Sequence, residues 1–448
     1  MSSPKKLKSV ILKLLDYCQK EDWKGYDPYD ALNSPIFRYF PFLNSRWPRI
    51  AFTQFFKRSP INFRPLLGIP KTENPKALAL FLMSFIKLRK LGLLENDSLI
   101  DLMADKLINL RSSMICYSQF VTRNLKPETF NFQLATYNAT NSNNPINSTN
   151  SINSANSINS TSSTNPYFCW GYSFPWQTRS ILVPYGSPNI VCTTFVANSF
   201  LDLYEYKKDK KFFEIAKSAG EYILNELYWT DGNSISSFSY PLPNLKTIVY
   251  NANFLGSALL CRIYSLTGDK RFLDTAFKVA RYSASKQNLD GSWYYGEKSN
   301  QKWIDNFHTG YNLCALYDIC YYSKSIEFQT NIINGFKFYR NNFFLKDFVP
   351  KYFHNRIYPI DVHCIAQSII TLINLKDINK ENIKLANSVF KWTIENMWNE
   401  KGYFYYQLSP FIKKKISYIR WSQSWILFAL IVLFTNIESD KNYNNILS

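Results

Sequence analysis

From residue 77 onward, apolar residues recur at spacings of three and four, the periodicity of helices that bury one face. These helical stretches come in pairs. They run over 77–113, 189–229, 250–287, 308–344 and 362–397, and a last helix is predicted over 422–434. The second pair after the Asn/Ser-rich stretch turns at Thr267-Gly268-Asp269. The segments that connect one pair to the next also repeat: Trp229-Thr-Asp-Gly232 precedes SISSFSY, Asp290-Gly291 precedes SWYYG, and Lys401-Gly402 precedes YFYYQ. Gly232 and Gly291 are 59 residues apart, and Gly402 comes at about twice 55 beyond, which leaves room for a diverged copy within 344–353.

Self-similarity at this period means stacked helical hairpins, either an open solenoid or a closed ring. Solenoid connections are short and polar, whereas these are long and aromatic. Counting the N-terminal material, five to six hairpins are available, so the chain is expected to be all-α, an (α/α) toroid of about six helical hairpins. The expected divisions are an N-terminal helix and Pro/aromatic-rich extension over 1–70, the first hairpin or hairpins over 71–137, and the rest of the toroid over 166–440. Between the last two, residues 138–165 are nearly all Asn, Ser and Thr and too polar to order themselves, which predicts a disordered insertion.

Aromatic residues make up 17% of the chain; core filling covers most of them, and Tyr and Trp also suit a groove that takes sugar rings or isoprenoids. The net charge of +19 would suit nucleic acid if it were clustered. Beyond Lys5-Lys6 and short runs over 207–211 and 413–415 it is scattered, which argues against that partner. The same field attracts acidic glycans and permits peripheral contact with an anionic membrane. The eight cysteines form no CxxC pair, the basic start lacks a cleavage site, and the apolar run 425–434 is too short to span a bilayer. A cytoplasmic protein without a transmembrane segment is expected.

All three histidines lie between 308 and 363, and two sit in polar clusters, WIDNFHTGY (303–311) and PIDVHCIAQ (359–367). Each cluster joins an Asp to a His just before an apolar helix, so both belong at the same end of successive helices. Asp305, Asp361 and Glu297 are the candidate carboxylates for dividing acid and base roles across a pocket. His308 and His363 are candidates for taking a proton from the carbon beside a uronate carboxyl, with Arg179 or Arg420 holding that carboxylate. Trp170, Trp176, Trp303 and Trp421 would stack on sugar faces, and Tyr172, Gln177, Asn253 and Tyr311 lie in the same mouth segments. Helix capping alone also explains an Asp in these positions, and a loop carbonyl could satisfy each His. No ligand spacing for metal and no GxSxG, HExxH or Gly-rich phosphate loop is present, so neither metal nor cofactor is expected.

With WGYSFPWQTR, DGSWYYG and WIDNFHTGYNL, the hairpin period resembles the six-hairpin glycosidase superfamily and its branch associated with polysaccharide biosynthesis. The resemblance implies a carbohydrate substrate handled by a hydrolase, lyase or epimerase, with Asp305, His308 and the aromatic mouth as the site. Gln287-Asn-Leu-Asp-Gly291-Ser-Trp293 is similar to the QW repeat of terpenoid cyclases and prenyltransferases, also toroids, but the acidic DxDD motif is absent. An isoprenoid enzyme and a non-catalytic glycan-binding ring are the alternatives.

Overall fold

The computed structural model describes residues 3–113 and 166–447; the Asn/Ser/Thr-rich segment lies outside them. Fourteen α-helices occur among the described residues. They are α1 (Ser3–Lys20), α2 (Ile36–Tyr39), α3 (Arg46–Arg58), α4 (Pro75–Lys90), α5 (Ser98–Asn109), α6 (Ile190–Lys207) and α7 (Lys210–Tyr222), then α8 (Tyr250–Thr267), α9 (Lys270–Ala284), α10 (Asn306–Ser323), α11 (Gln329–Asn342), α12 (Val362–Asn374), α13 (Glu381–Met397) and α14 (Ser424–Leu447).

Helices α4, α6, α8, α10, α12 and α14 each pack on the next, and α14 returns to α4. This closes an inner ring. Outside it, α5, α7, α9, α11 and α13 each pack on the inner helix before them, and α1 packs on α14. The sixth hairpin is therefore built from the two ends of the chain, so the helix at the start of the N-terminal segment is part of the toroid. An inner helix is covered on nearly every side: 12 of the 13 residues of α12 are buried. An outer helix is covered mainly on one, and α9 buries Phe272, Ala276, Val279, Ala280 and Ser283 at helical spacing, with Tyr282 and Ala284 added at its end. The segment Ile419–Ser439 is long and apolar enough to cross a membrane, but its place in the inner ring accounts for that composition.

Each inner helix from α4 to α12 passes to its outer partner by a short turn, as at Lys208-Asp209 and Gly268-Asp269, where Lys208 and Gly268 adopt the left-handed conformation. The inner helices consequently run the same way, and their N-termini gather at one end. Asn74, Asn189, Asp305 and Asp361 cap four of them there with side-chain oxygens. The long returns to the next inner helix cross this same end. Four of them turn on residues with positive φ: Gly232, Gly291, Phe348 and Gly402. These lie 59, 57 and 54 residues apart, and Phe348 is the diverged copy, with phenylalanine where the others have glycine.

The QW-like motif is structural. Gln287 Nε2 donates to the Gly291 carbonyl at 2.8 Å and to the Asn331 carbonyl at 3.0 Å, which ties the end of α9 to α11. Trp293 Nε1 donates to the Ser283 carbonyl at 3.1 Å.

Residues 21–72 run from α1 to α4, with a small core of Ala31, Phe56 and Ile69. Two buried ion pairs pin this segment. Arg420 holds Asp27 in a fork with bonds of 2.6 and 2.8 Å, and Arg64 holds Asp30 at 2.7 Å while donating to the Tyr418 hydroxyl at 3.0 Å.

Candidate active site

The gathered N-termini surround a cavity of about 520 Å³. Inner helices supply Lys76, His308, Tyr311 and His363 to its wall, the turn before α14 supplies Arg420 and Trp421, and the returns supply Tyr172, Trp176, Tyr295 and Trp303. Tyr29 and Lys57 enter from the 21–72 segment.

At its centre stands Asp305, only 2% exposed. Its Oδ1 accepts the His308 backbone N–H at 3.0 Å, the ordinary duty of a helix cap. Its Oδ2 lies 2.7 Å from His308 Nδ1 and accepts the Trp303 indole N–H at 3.0 Å. A carboxylate only accepts, so Nδ1 carries the proton and Nε2 is left as the basic nitrogen. Capping and ring orientation are thus performed by the two oxygens of one side chain. The imidazole is fixed between Phe307 and Tyr295, with ring centroids 4.0 and 4.6 Å away. Tyr295 in turn stacks on Trp303 at 4.4 Å.

His363 is placed differently. Its Nδ1 donates to the Trp421 carbonyl at 3.0 Å and its Nε2 accepts the Tyr311 hydroxyl at 2.7 Å, so both nitrogens are engaged. Burial, with the nearby Lys76 charge, holds it well below the usual histidine range. It is a neutral ring that positions Tyr311. Burial likewise keeps Tyr311 a phenol by raising it far above the usual tyrosine range.

Asp361 does not line the cavity. It is fully buried and accepts from His363 N–H at 2.8 Å, Trp421 Nε1 at 3.0 Å and Gln407 Nε2 at 3.1 Å. Burial pushes its carboxyl up to about 6. Its role is to tie α12, the 407 strand and the turn before α14 together.

Several other sequence candidates also lie off the cavity. Glu297 accepts the Tyr282 hydroxyl at 2.9 Å and lies 3.6 Å from Lys286. Trp170 is buried in the core, donating to the Leu107 carbonyl at 2.7 Å. Asn253 binds the Phe238 backbone N–H and Ser283. Gln177 bonds to the Thr178 carbonyl and Arg179 sits exposed in the adjacent turn. Tyr172, Trp176, Trp303, Tyr311, Arg420 and Trp421 do reach the cavity. The guanidinium fork of Arg420, however, is filled by Asp27 and lies 4.9 Å over the Tyr172 ring.

The residue that sequence reading missed is Lys76, 3% exposed at the start of α4. Its ammonium sits 4.2 Å from the Phe195 ring centroid, 5.1 Å from Trp425 and 5.2 Å from Tyr311. Among the described residues no ion pair or hydrogen bond reaches Nζ. Burial and the Arg420 charge hold it well below the usual lysine range. The signal was present in Asn74-Pro75-Lys76-Ala77-Leu78, a charge at the second position of a helix that is otherwise apolar nearly all round. Lys57 and Arg356 line the same cavity, so its basic groups outnumber its single carboxylate, Asp305. No group of three or more His, Cys, Asp or Glu suited to a metal occurs among the described residues.

A ring of six hairpins with its cavity at the inner-helix N-termini is an (α/α) toroid. No family model matches the sequence, and no curated protein matches it. Solved structures do match. An unsaturated glucuronyl hydrolase specific for heparin superposes with a TM-score of 0.56 at 10% identity, covering 98% of each chain. Cellobiose 2-epimerase from Bacillus thermoamylovorans gives 0.55 at 10% identity, over 83% of this chain and 90% of that one. A polysaccharide lyase gives 0.53 at 11% identity, over 98% and 99%. At these identities the likeness is one of fold.

Proposed function

We propose that this protein is a carbohydrate-active enzyme of surface-polysaccharide metabolism that acts on an acidic, uronate-containing glycan by proton transfer at His308. The observation that carries the reading is the 2.7 Å contact between Asp305 Oδ2 and His308 Nδ1 in the wall of an aromatic cavity. Asp305 fixes the tautomer and stabilises the imidazolium that forms when Nε2 takes a proton. That proton comes from the sugar carbon beside the carboxylate in a lyase or epimerase, or from water in a hydrolase. Lys76, Lys57 and Arg356 supply positive charge for the carboxylate, and Trp176 and Trp303 offer faces to sugar rings. The activities named for the similar folds, on heparin, cellobiose and polysaccharide, agree with this substrate class. An isoprenoid site would need a deep apolar cavity, and a cavity lined by Asp305, His308 and four Lys or Arg side chains favours the glycan.

The test compares thermal shifts of wild type, Asp305→Asn and His308→Ala with uronic acids, acidic oligosaccharides and polyprenyl phosphates. Stabilisation by an acidic sugar that both substitutions abolish is expected. Stabilisation by polyprenyl phosphates alone, or an acidic-sugar shift untouched by either substitution, would overturn the proposal.

A further inference from the structure

Between Ala31 and Thr72 the sequence contains seven Lys or Arg residues and no Asp or Glu. This run includes α2 and α3 and folds around its own small core. It also carries a concentration of exposed apolar surface: Tyr39 is 77% exposed, Phe42 72%, Trp47 70% and Leu66 79%, with Phe40 and Phe55 close to half. Single exposed apolar residues are ordinary, but this many large ones within one short segment mark an interaction surface. Arg38, Arg46 and Arg58 are exposed among them, and the Arg46 guanidinium lies 5.0 Å over the Trp47 ring.

Next to these residues is a second, smaller cavity of about 280 Å³, apart from the candidate active site. Its wall is mainly apolar, with Leu32, Phe37, Leu182 and Tyr185, and its charged groups are Arg38 and Arg49. Arg49 is half-buried, has no ion pair among the described residues, and is lowered from the usual arginine range by burial. An unpaired guanidinium in an apolar groove is complementary to an anionic head group joined to a hydrocarbon chain.

We propose that the face formed by residues 36–66 docks this protein on an anionic lipid bilayer. Its aromatic side chains enter the interfacial layer, its arginines meet lipid phosphates, and the groove at Arg38 and Arg49 receives one lipid. The charge selects this partner. A face with exposed Phe and Trp but no acidic residue matches a negative surface with an apolar layer beneath it, whereas nucleic acid would use the arginines and leave the apolar groups in water. Lys57, on the same helix α3, lines the active-site cavity, so docking and site share one element. The inference does not depend on the glycan reading.

The experiment is flotation of the full chain with vesicles of phosphatidylcholine alone and of phosphatidylcholine with phosphatidylglycerol in equal parts. Binding to the second only, weakened by salt, is expected. Arg46→Ser with Arg58→Ser should reduce it by about tenfold or more, at roughly 1 kcal/mol for each charge near the surface. Phe42→Ser with Trp47→Ser should reduce it comparably. Both pairs are exposed, so their melting temperatures should match wild type, and Phe411→Ser, 97% exposed elsewhere, should leave flotation unchanged. Absence of flotation with the anionic vesicles would overturn the proposal. So would flotation indifferent to both pairs, or flotation that a nucleic-acid competitor removes while Phe42→Ser with Trp47→Ser has no effect.

Discussion

Asp305 and Asp361 occupy equivalent places before successive inner helices, and each caps the helix it precedes. What separates them is the donor on the remaining oxygen. For Asp305 it is the imidazole of His308, three residues on, which lines the cavity; for Asp361 it is Gln407, deep in the wall. Lys76 has no such partner. Replacing a buried, unpaired amine with an apolar group of similar shape removes the cost of desolvating it, so Lys76→Met should raise the melting temperature by the equivalent of about 1 kcal/mol or more. It should also abolish any shift given by an acidic sugar. Thermal melts with and without such a sugar check both, and a lower melting temperature would show that the ring contacts of the ammonium outweigh its burial.

Asp318, near the other end of α10, gives a pH prediction. Burial raises its carboxyl to about 7, against the lowering effect of Arg262, which is engaged by Asp202 at 2.6 Å and Glu205 at 2.7 Å. Its unfolded value is about 3.9, so the folded chain holds this proton more tightly. The group's contribution to stability is then complete below about pH 4 and lost as pH rises through 7, at most roughly 4 kcal/mol. Between pH 5 and 8 the wild-type melting temperature should fall relative to that of Asp318→Asn. Parallel curves would refute the shift.

Helices and returns were legible to different degrees. The apolar period gave every inner helix from α4 to α14, because that signal lies within the element it defines. The returns were legible where glycine marks the turn. At Phe348 it does not, so only the interval pointed to the repeat. Gly291 has φ +91°, and an added Cβ would lie 2.3 Å from the Asn334 carbonyl oxygen. Gly291→Ala should therefore cost several kcal/mol, at the upper end of single-residue effects. Phe348, at φ +67° and 48% exposed, bears a conformation that glycine adopts freely. Phe348→Gly should leave stability at or slightly above wild type, which denaturant titration of the pair would measure.

Closure of the ring is a property of the whole molecule. Helix α1 buries Leu7, Val10, Ile11, Leu14, Leu15 and Cys18, and it is the outer partner of α14. At about 1.5–3 kcal/mol for each large apolar side chain, this burial is on the order of 10 kcal/mol, comparable with the total stability of a typical domain. Deleting residues 1–20 should abolish the cooperative thermal transition. A truncated chain that melts within a few degrees of wild type would show that five hairpins and a bare α14 suffice. The Asp27–Arg420 and Asp30–Arg64 pairs then fasten residues 21–72, whose Tyr29 and Lys57 reach the cavity.

By itself the sequence determined the hairpin period and set Asp305 and His308 one turn apart at a helix N-terminus, since these depend only on spacing along the chain. Tertiary structure alone decided the rest. That Asp361 and Asn253 are walled in while Lys76 opens on the cavity depends on how each helix is rotated within the ring. That Asp27 fills the fork of Arg420, and that α1 completes the last hairpin, depends on contacts between chain ends nearly 400 residues apart. Local periodicity carries no record of such pairings, because they are set by the closure of the ring and not by any one of its helices.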